Sequence, residues 1–84
     1  MERTTVAMVT VEELKRIMCH AGVERSIVDA MDPAKPLLLQ GMDSIDYPVF
    51  ALAVEEKFRV RISDRDALQL KTLDDFKRFI EGNR

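Results

Sequence analysis

The residue whose position most clearly invites chemistry is Ser44, in the segment GMDSID at residues 41–46. Asp43 precedes the serine directly, Gly41 allows a tight turn before it, and a helical pattern begins just after it. In one interpretation, Ser44 or Asp43 caps the following helix. In the other, the hydroxyl of Ser44 is exposed so that a chemical group can be attached to it. The rest of the sequence must help to choose between them.

The other reactive side chains do not form a catalytic or metal site. Cys19 is the only cysteine and His20 the only histidine, so neither an internal disulfide nor a zinc site is expected. No Ser-His-Asp set or phosphate-binding glycine loop is present. A net charge of −2 with mixed signs argues against nucleic-acid binding, which normally needs a basic stripe. We expect a protein that is not an enzyme.

Length and composition predict a single domain over residues 1–84, with residues 1–9 loosely ordered. Hydrophobic residues make up 46% and charged residues 33% of the 84, which is an ordinary globular balance. The apolar runs are too short to span a membrane, and no signal-peptide pattern is present. We therefore expect a cytoplasmic monomer.

The elements that must position Ser44 are helices. Thr10 and Glu13 form a capping box, the apolar residues after them recur at helical spacing, and Gly22 ends this first helix. Weak helical spacing follows over residues 24–31. Pro33 and Pro36 then predict a long ordered loop, held in place by the leucines at 37–39.

The second main helix, over residues 46–58, carries two apolar faces. One face is a complete core stripe, listed as Tyr47, Phe50, Ala51, Val54 and Phe58. The opposite face also bears apolar side chains, edged by acids, and we interpret it as a partner-binding surface. That surface consists of Ile45, Asp46, Val49, Leu52, Glu55 and Glu56. Isolated exposed apolar residues are common, so this remains a hypothesis.

Two further helices complete the chain. A short helix begins near Ser63, with Asp66 as its box partner and Ala67, Leu68 and Leu70 facing inward. Thr72 and Asp75 begin the last helix, which Gly82 ends. No segment alternates with a period of two, so no sheet is expected. The predicted fold is all-α: a small four-helix bundle of three longer helices and one short helix, with a long loop between the first two main helices.

In this order and spacing, the segments GMDSID, VEEKFRVRIS and KTLDDFKRFI resemble the acyl carrier protein family over nearly the whole chain. The resemblance implies that a phosphopantetheinyl transferase attaches 4′-phosphopantetheine from coenzyme A to Ser44, and that Asp43 assists. A phosphodiester there would meet unpaired N–H groups and the positive end of the helix dipole. In the family the acyl chain folds back between the helices, which implies a lining of Phe50, Val54, Ile62 and Leu68.

Several residues depart from the family pattern. Gln40 stands where leucine is common, and we expect Leu39 to take over its packing. Pro48 falls in the first turns of the second main helix, which therefore should begin late, with Asp46 or Tyr47 as its cap. Val49 replaces a common acid, and Lys57 begins a basic patch, continued by Arg59 and Arg61. Such changes weaken attraction to basic partner surfaces.

These departures predict a specialised carrier whose acyl-loading and acyl-processing enzymes belong to a dedicated fatty-acid, lipid or polyketide pathway. Two alternatives remain open. A peptidyl or aminoacyl carrier would share the fold and the serine. An unmodified helical interaction module would keep the bundle without carrying cargo.

Overall fold

A computed structural model describes residues 9–82 of the chain. Within this range the structure is all-helical, as predicted, and contains no strand. The longer helices are α1 (Val11–His20), α3 (Asp46–Phe58) and α5 (Leu73–Gly82). Two short helices, α2 (Arg25–Asp29) and α4 (Asp64–Gln69), and a 3-10 turn (Leu37–Gln40) lie between them. The prediction had one short helix; weak spacing over residues 24–31 forms the second.

The helix starts follow the capping signals in the sequence. Thr10 caps α1 in a complete capping box with Glu13, and Ser63 caps α4 in one with Asp66. At the start of α5, the Asp75 carboxylate accepts hydrogen bonds from the Lys71 and Thr72 amides, while the Thr72 hydroxyl accepts one from the Asp75 amide. Each bond satisfies a terminal N–H group that has no partner inside the helix.

The core is formed by one face of each longer helix. α1 packs against α2, α3 and α5, and the ring of Phe50 meets that of Phe76 edge-on, with centroids 5.0 Å apart. The side chains buried most completely are Val9, Leu14, Met18, Val28, Leu37, Phe50, Val54, Leu73, Phe76 and Ile80. Val9 belongs to the segment expected to be loosely ordered, yet it is fully buried. Residues 1–8 lie outside the described residues.

The loop between α1 and α3 is held largely by hydrogen bonds, whereas the sequence predicted that its leucines would hold it. Leu37 is buried, but Leu38 and Leu39 are exposed, Leu39 by 81%, so the prediction that Leu39 takes over packing from Gln40 is wrong. The Gln40 amide group instead ties the loop together. Its Oε1 accepts from the Asp32 amide at 2.7 Å, and its Nε2 donates to the carbonyls of Asp32 and Lys35.

The loop is also fastened to the far end of the chain. The Leu37 amide donates to the Lys71 carbonyl at 2.8 Å, and the Asp74 amide donates to the Pro33 carbonyl at 3.0 Å. These two bonds join the loop to the connection between α4 and α5 and to the first turn of α5. The segment that leads to Ser44 therefore starts from a fixed point.

Candidate functional site

The turn before Ser44 is held by one buried side chain and one glycine. Met42 is almost fully buried and anchors the segment two residues before the serine. Gly41 adopts φ +104°, and a Cβ atom built there would lie 3.2 Å from Cδ1 of Ile27. Only glycine meets both the backbone conformation and the close approach without strain. The sequence indicated the role of Gly41 but gave no role to Met42.

Helix α3 begins without a side-chain cap. The Asp43 carbonyl accepts from the amides of Asp46 at 2.9 Å and Tyr47 at 3.2 Å. Ile45 occupies the cap position with helical backbone angles and makes no side-chain cap bond, whereas Asp46 or Tyr47 was expected there. Pro48 is the third residue of the helix, inside the first turn as predicted, where its missing N–H group matters little.

Among the residues that the structure describes, neither the Ser44 hydroxyl nor the Asp43 carboxylate accepts a capping bond. The one side-chain bond in this turn runs the other way, from the Asp43 amide to the Asp46 carboxylate at 3.4 Å. Capping therefore does not account for the Asp-Ser pair.

Ser44 differs from the chain's other two serines. The Ser26 hydroxyl donates to Glu24 at 3.0 Å, and the Ser63 hydroxyl accepts from the Asp66 amide at 3.0 Å. Ser44 is exposed, and its hydroxyl makes no hydrogen bond within residues 9–82. Of the three serine hydroxyls, this one is accessible and uncommitted.

The backbone N–H groups around Ser44 can bind an anion, but some of them are already paired within the chain. The amides of Asp46 and Tyr47 are already paired with the Asp43 carbonyl, and Pro48 has none. In the described part of the chain, the amides of Ser44 and Ile45 have no partner. They lie at the positive end of a 13-residue helix, where a phosphate group is stabilised.

The outer face of α3 is apolar and exposed. Ile45 is 74% exposed, and Val49 and Leu52 are each about half exposed. Glu56 is exposed beside them, and Asp46 is half-buried.

Glu55, also assigned to this face, is half-buried. Its carboxylate accepts from the Ile62 amide at 2.6 Å. Glu55 therefore fixes the chain after α3, a structural role that the sequence did not reveal.

An apolar groove of about 360 Å³ lies beside the start of α3. Its walls come from the loop, α3, α4 and the residues after α4, namely Pro36, Leu38, Tyr47, Ala67, Leu68, Leu70 and Lys71. Of the four residues that were expected to line an acyl site, only Leu68 lines this groove. Phe50 and Val54 are fully buried in the core, and Ile62 lies outside the groove lining.

Leu68 itself is 71% exposed and does not face inward as predicted. Helix α4 has only six residues, which is less than two turns, so its inward face is formed by Ala67 and, after its end, by Leu70. Leu68 is left on the groove rim.

Tyr47 forms one wall of the groove, whereas the sequence predicted that it would face the core or cap the helix. Its hydroxyl lies 3.0 Å from the carbonyl oxygen of Ala67 and 2.6 Å from that of Leu70. Burial, with a smaller contribution from the negative charge of Asp75, raises the pKa of Tyr47 to about 12. The phenol is therefore protonated at neutral pH and shares its single O–H donor between these two carbonyls.

No described helix is long and apolar enough to cross a membrane. Within residues 9–82, no three His, Cys, Asp or Glu side chains lie together in a way that could hold a metal ion. Cys19 and His20 are exposed on α1.

Comparison with known proteins adds an independent finding. The family model for the phosphopantetheine attachment site matches residues 11–80. An acyl carrier protein of Solidesulfovibrio magneticus is 38% identical over 78 residues, which is 92% of this chain and 97% of that protein. Acyl carrier proteins of Wolinella succinogenes and Helicobacter hepaticus are 41% and 40% identical over 44 and 42 residues. The chain's matches span only 58% and 55% of those two relatives.

Proposed function

The chain belongs to the phosphopantetheine-binding family of acyl carrier proteins, and we propose that Ser44 is where it carries its 4′-phosphopantetheine. The observation that carries this proposal is the exposed, unbonded hydroxyl of Ser44 at the start of α3. Carrier proteins of this family are not enzymes, and they act by interacting with partner enzymes. When bound, the arm supplies a terminal thiol that holds an acyl group as a thioester.

The attachment step needs little from the chain beyond access. The Ser44 oxygen attacks the phosphorus next to the pantetheine unit of coenzyme A and forms a new P–O bond. The bond to the other phosphate breaks, adenosine 3′,5′-bisphosphate leaves, and the hydroxyl proton passes to a base on the transferase. The Ser44 and Ile45 amides and the helix dipole stabilise the resulting phosphodiester. Asp43, exposed and free of side-chain bonds within the described residues, can face the transferase and its metal ion.

The partner enzymes dock, in this proposal, on the outer face of α3 beside Ser44. This face presents Ile45, Val49 and Leu52 with Asp46 and Glu56 at its edges, and Glu55 contributes from the margin. Its exposed apolar area and few acids favour partners with an apolar contact surface over strongly basic ones. This favours a dedicated fatty-acid, lipid or polyketide pathway, in which the protein acts as a cytoplasmic monomer.

The cargo rests in the groove next to Ser44. The groove lining is almost wholly apolar, and Tyr47 lies one helical turn from Ser44, so an acyl chain that folds back from the arm meets this surface. Each buried methylene contributes about 0.8 kcal/mol. An apolar groove favours acyl cargo over the aminoacyl cargo of a peptidyl carrier, whose ammonium group would find no acceptor on such a lining.

Intact mass measurement after incubation with coenzyme A and a broad-range phosphopantetheinyl transferase tests the attachment. The wild-type protein should gain the mass of one phosphopantetheinyl group, and Ser44→Ala should gain none. Ser26→Ala is the matched control, because Ser26 is also exposed, and it should be modified like the wild type. An unmodified interaction module would show no mass gain in any form.

Loading assays then distinguish the types of carrier. The phosphopantetheinylated protein should accept fatty acyl groups from an acyl-activating enzyme and should be a poor acceptor for an amino-acid-adenylating enzyme. Preferential aminoacyl loading would refute the acyl assignment while leaving the attachment site intact.

A further inference from the structure

Tyr47 fastens the short helix α4 to α3. The carbonyls of Ala67 and Leu70 lie at the carboxyl end of α4, where the last carbonyls of a helix run short of amide partners. The Ala67 carbonyl accepts one bond from the Leu70 amide at 3.2 Å, whereas the Leu70 carbonyl accepts none from any backbone amide of the described residues. The Tyr47 hydroxyl reaches both, at 3.0 and 2.6 Å. One side chain on α3 thus supplies the hydrogen bond that the end of α4 requires.

Packing alone holds α4 weakly. None of its six residues is buried; Ala67 is half-buried, and Leu68 is turned to the groove rim. A short helix with so little buried apolar surface opens more readily than the core helices around it. The end of α4 is therefore held by the burial of Leu70 directly after the helix and by the bond from Tyr47.

Behind Tyr47 the core leaves little room. The Tyr47 ring stacks at a tilt on Phe76, with centroids 5.9 Å apart, and Phe76 packs edge-on against the fully buried Phe50. In front of Tyr47 lies the apolar groove, whose rims are Leu38 and Leu68. The Tyr47 ring is thus the boundary between the filled core and the open groove.

We propose that Tyr47 is a specificity-determining latch: by bonding the end of α4 it closes the gap between α3 and α4, so that an acyl chain carried at Ser44 lies along the open groove and does not enter the core. This inference rests on the proposed function. The cargo that it implies is an apolar acyl group, which lies extended over Tyr47, Ala67 and Leu70 and remains accessible to partner enzymes from the open side.

Amide chemical shifts of the loaded carrier test the latch. The protein is loaded with acetyl, octanoyl or dodecanoyl groups, and spectra are compared as the chain lengthens. In the wild type, the longer chains should shift the amides of Leu38, Ala67, Leu68 and Leu70 and leave those of Phe50 and Val54 unchanged. In Tyr47→Phe, which keeps the ring and loses the hydroxyl, dodecanoyl should also shift Phe50 and Val54.

Hydrogen exchange of the α4 amides gives a second readout without cargo. Loss of one net hydrogen bond should make these amides exchange about fivefold faster in Tyr47→Phe, while the α1 amides stay unchanged. Leu68→Ala is the control: it alters the groove rim, should reduce the shifts caused by octanoyl, and should leave α4 exchange as in the wild type.

Three outcomes would overturn the proposal. Dodecanoyl could shift Phe50 and Val54 in the wild type, dodecanoyl-loaded Tyr47→Phe could match the wild type, or α4 exchange could be unaltered in Tyr47→Phe. Should Tyr47→Phe not fold, the wild-type spectra decide alone. Failure of the transferase to add the arm would instead count against the proposed function, and it is read separately from the intact mass.

Discussion

Replacing Gly41 with alanine should destabilise the protein more than the same replacement at Gly22. The two glycines have nearly the same backbone angle, φ +104° and +105°, so both replacements carry the penalty of a left-handed L-residue, about 1–2 kcal/mol. They differ in surroundings. A Cβ at Gly22 meets nothing within 4 Å, whereas at Gly41 it meets three atoms of Ile27 between 3.2 and 3.4 Å away.

The extra penalty at Gly41 comes from crowding. Adding a methyl group to a packed site costs about 1–3 kcal/mol, and the lower end applies because Ile27 is half-buried and yields by a few tenths of an ångström. We expect the free energy of unfolding to fall by about 1–2 kcal/mol in Gly22→Ala and by about 2–3 kcal/mol in Gly41→Ala.

Urea unfolding measures the difference. With a slope near 1 kcal/mol/M for so small a domain, the two midpoints should differ by about 1 M. Ile27→Val removes the nearest atom, Cδ1, so in a double-mutant cycle it should restore about 0.5–1 kcal/mol to Gly41→Ala and nothing to Gly22→Ala. Equal destabilisation by the two alanines, or no coupling to Ile27, would refute this reasoning.

Further predictions concern stability, pH and partner binding. Gln40→Leu should lower the free energy of unfolding by about 1–3 kcal/mol, because the Asp32 amide and loop carbonyls lose their partners; an unchanged urea midpoint would contradict this. Because the pKa of Tyr47 is raised from 10.0 to about 12, the stability it adds is complete below pH 10 and is lost as pH rises to about 12. This stability amounts to about 1–2 kcal/mol once solvent screening of the half-buried ring is allowed for, and Tyr47→Phe should lack this alkaline step in pH-dependent unfolding. Val49→Glu adds an acid to the outer face of α3 and should speed association with a basic ketosynthase about tenfold at low salt, without changing the free energy of unfolding. Stopped-flow association rates that change with neither the substitution nor the salt concentration would contradict this prediction.

Local signals allowed most of the helical structure to be predicted from the sequence. The capping boxes at Thr10 and Ser63 each lie within four consecutive residues, so they can be recognised in the sequence and mark where a helix begins. The core stripe of α3 follows from helical spacing. The bounds of α3 match the predicted residues 46–58, but its cap residue was not predicted, because the Asp43 carbonyl closes the first turn, and residue type does not indicate such a backbone contact.

Tertiary contacts account for what the sequence did not predict. Gln40 appeared to be a lost packing residue, and only the folded loop brings the Asp32 and Lys35 carbonyls to its amide. Leu68 carries an apolar side chain at helical spacing, yet α4 is too short to bury it. Tyr47 fits the core stripe of α3 by residue type and spacing. Its hydrogen bonding to the carbonyls at the end of α4 could not be predicted, because it depends on how α4 packs against α3. Tyr47 and Leu68 line the groove, so the groove lining was the least predictable part of the site.

The most direct test of the central claim is to locate the attached group within the chain. The protein is incubated with coenzyme A and transferase in a Cys19→Ser background, so that any thiol present belongs to the arm, and it is then digested and fragmented by tandem mass spectrometry. We expect one new thiol per chain and a phosphopantetheinyl group on Ser44. A group on Ser26 or Ser63, or a chain that gains no thiol, would contradict it.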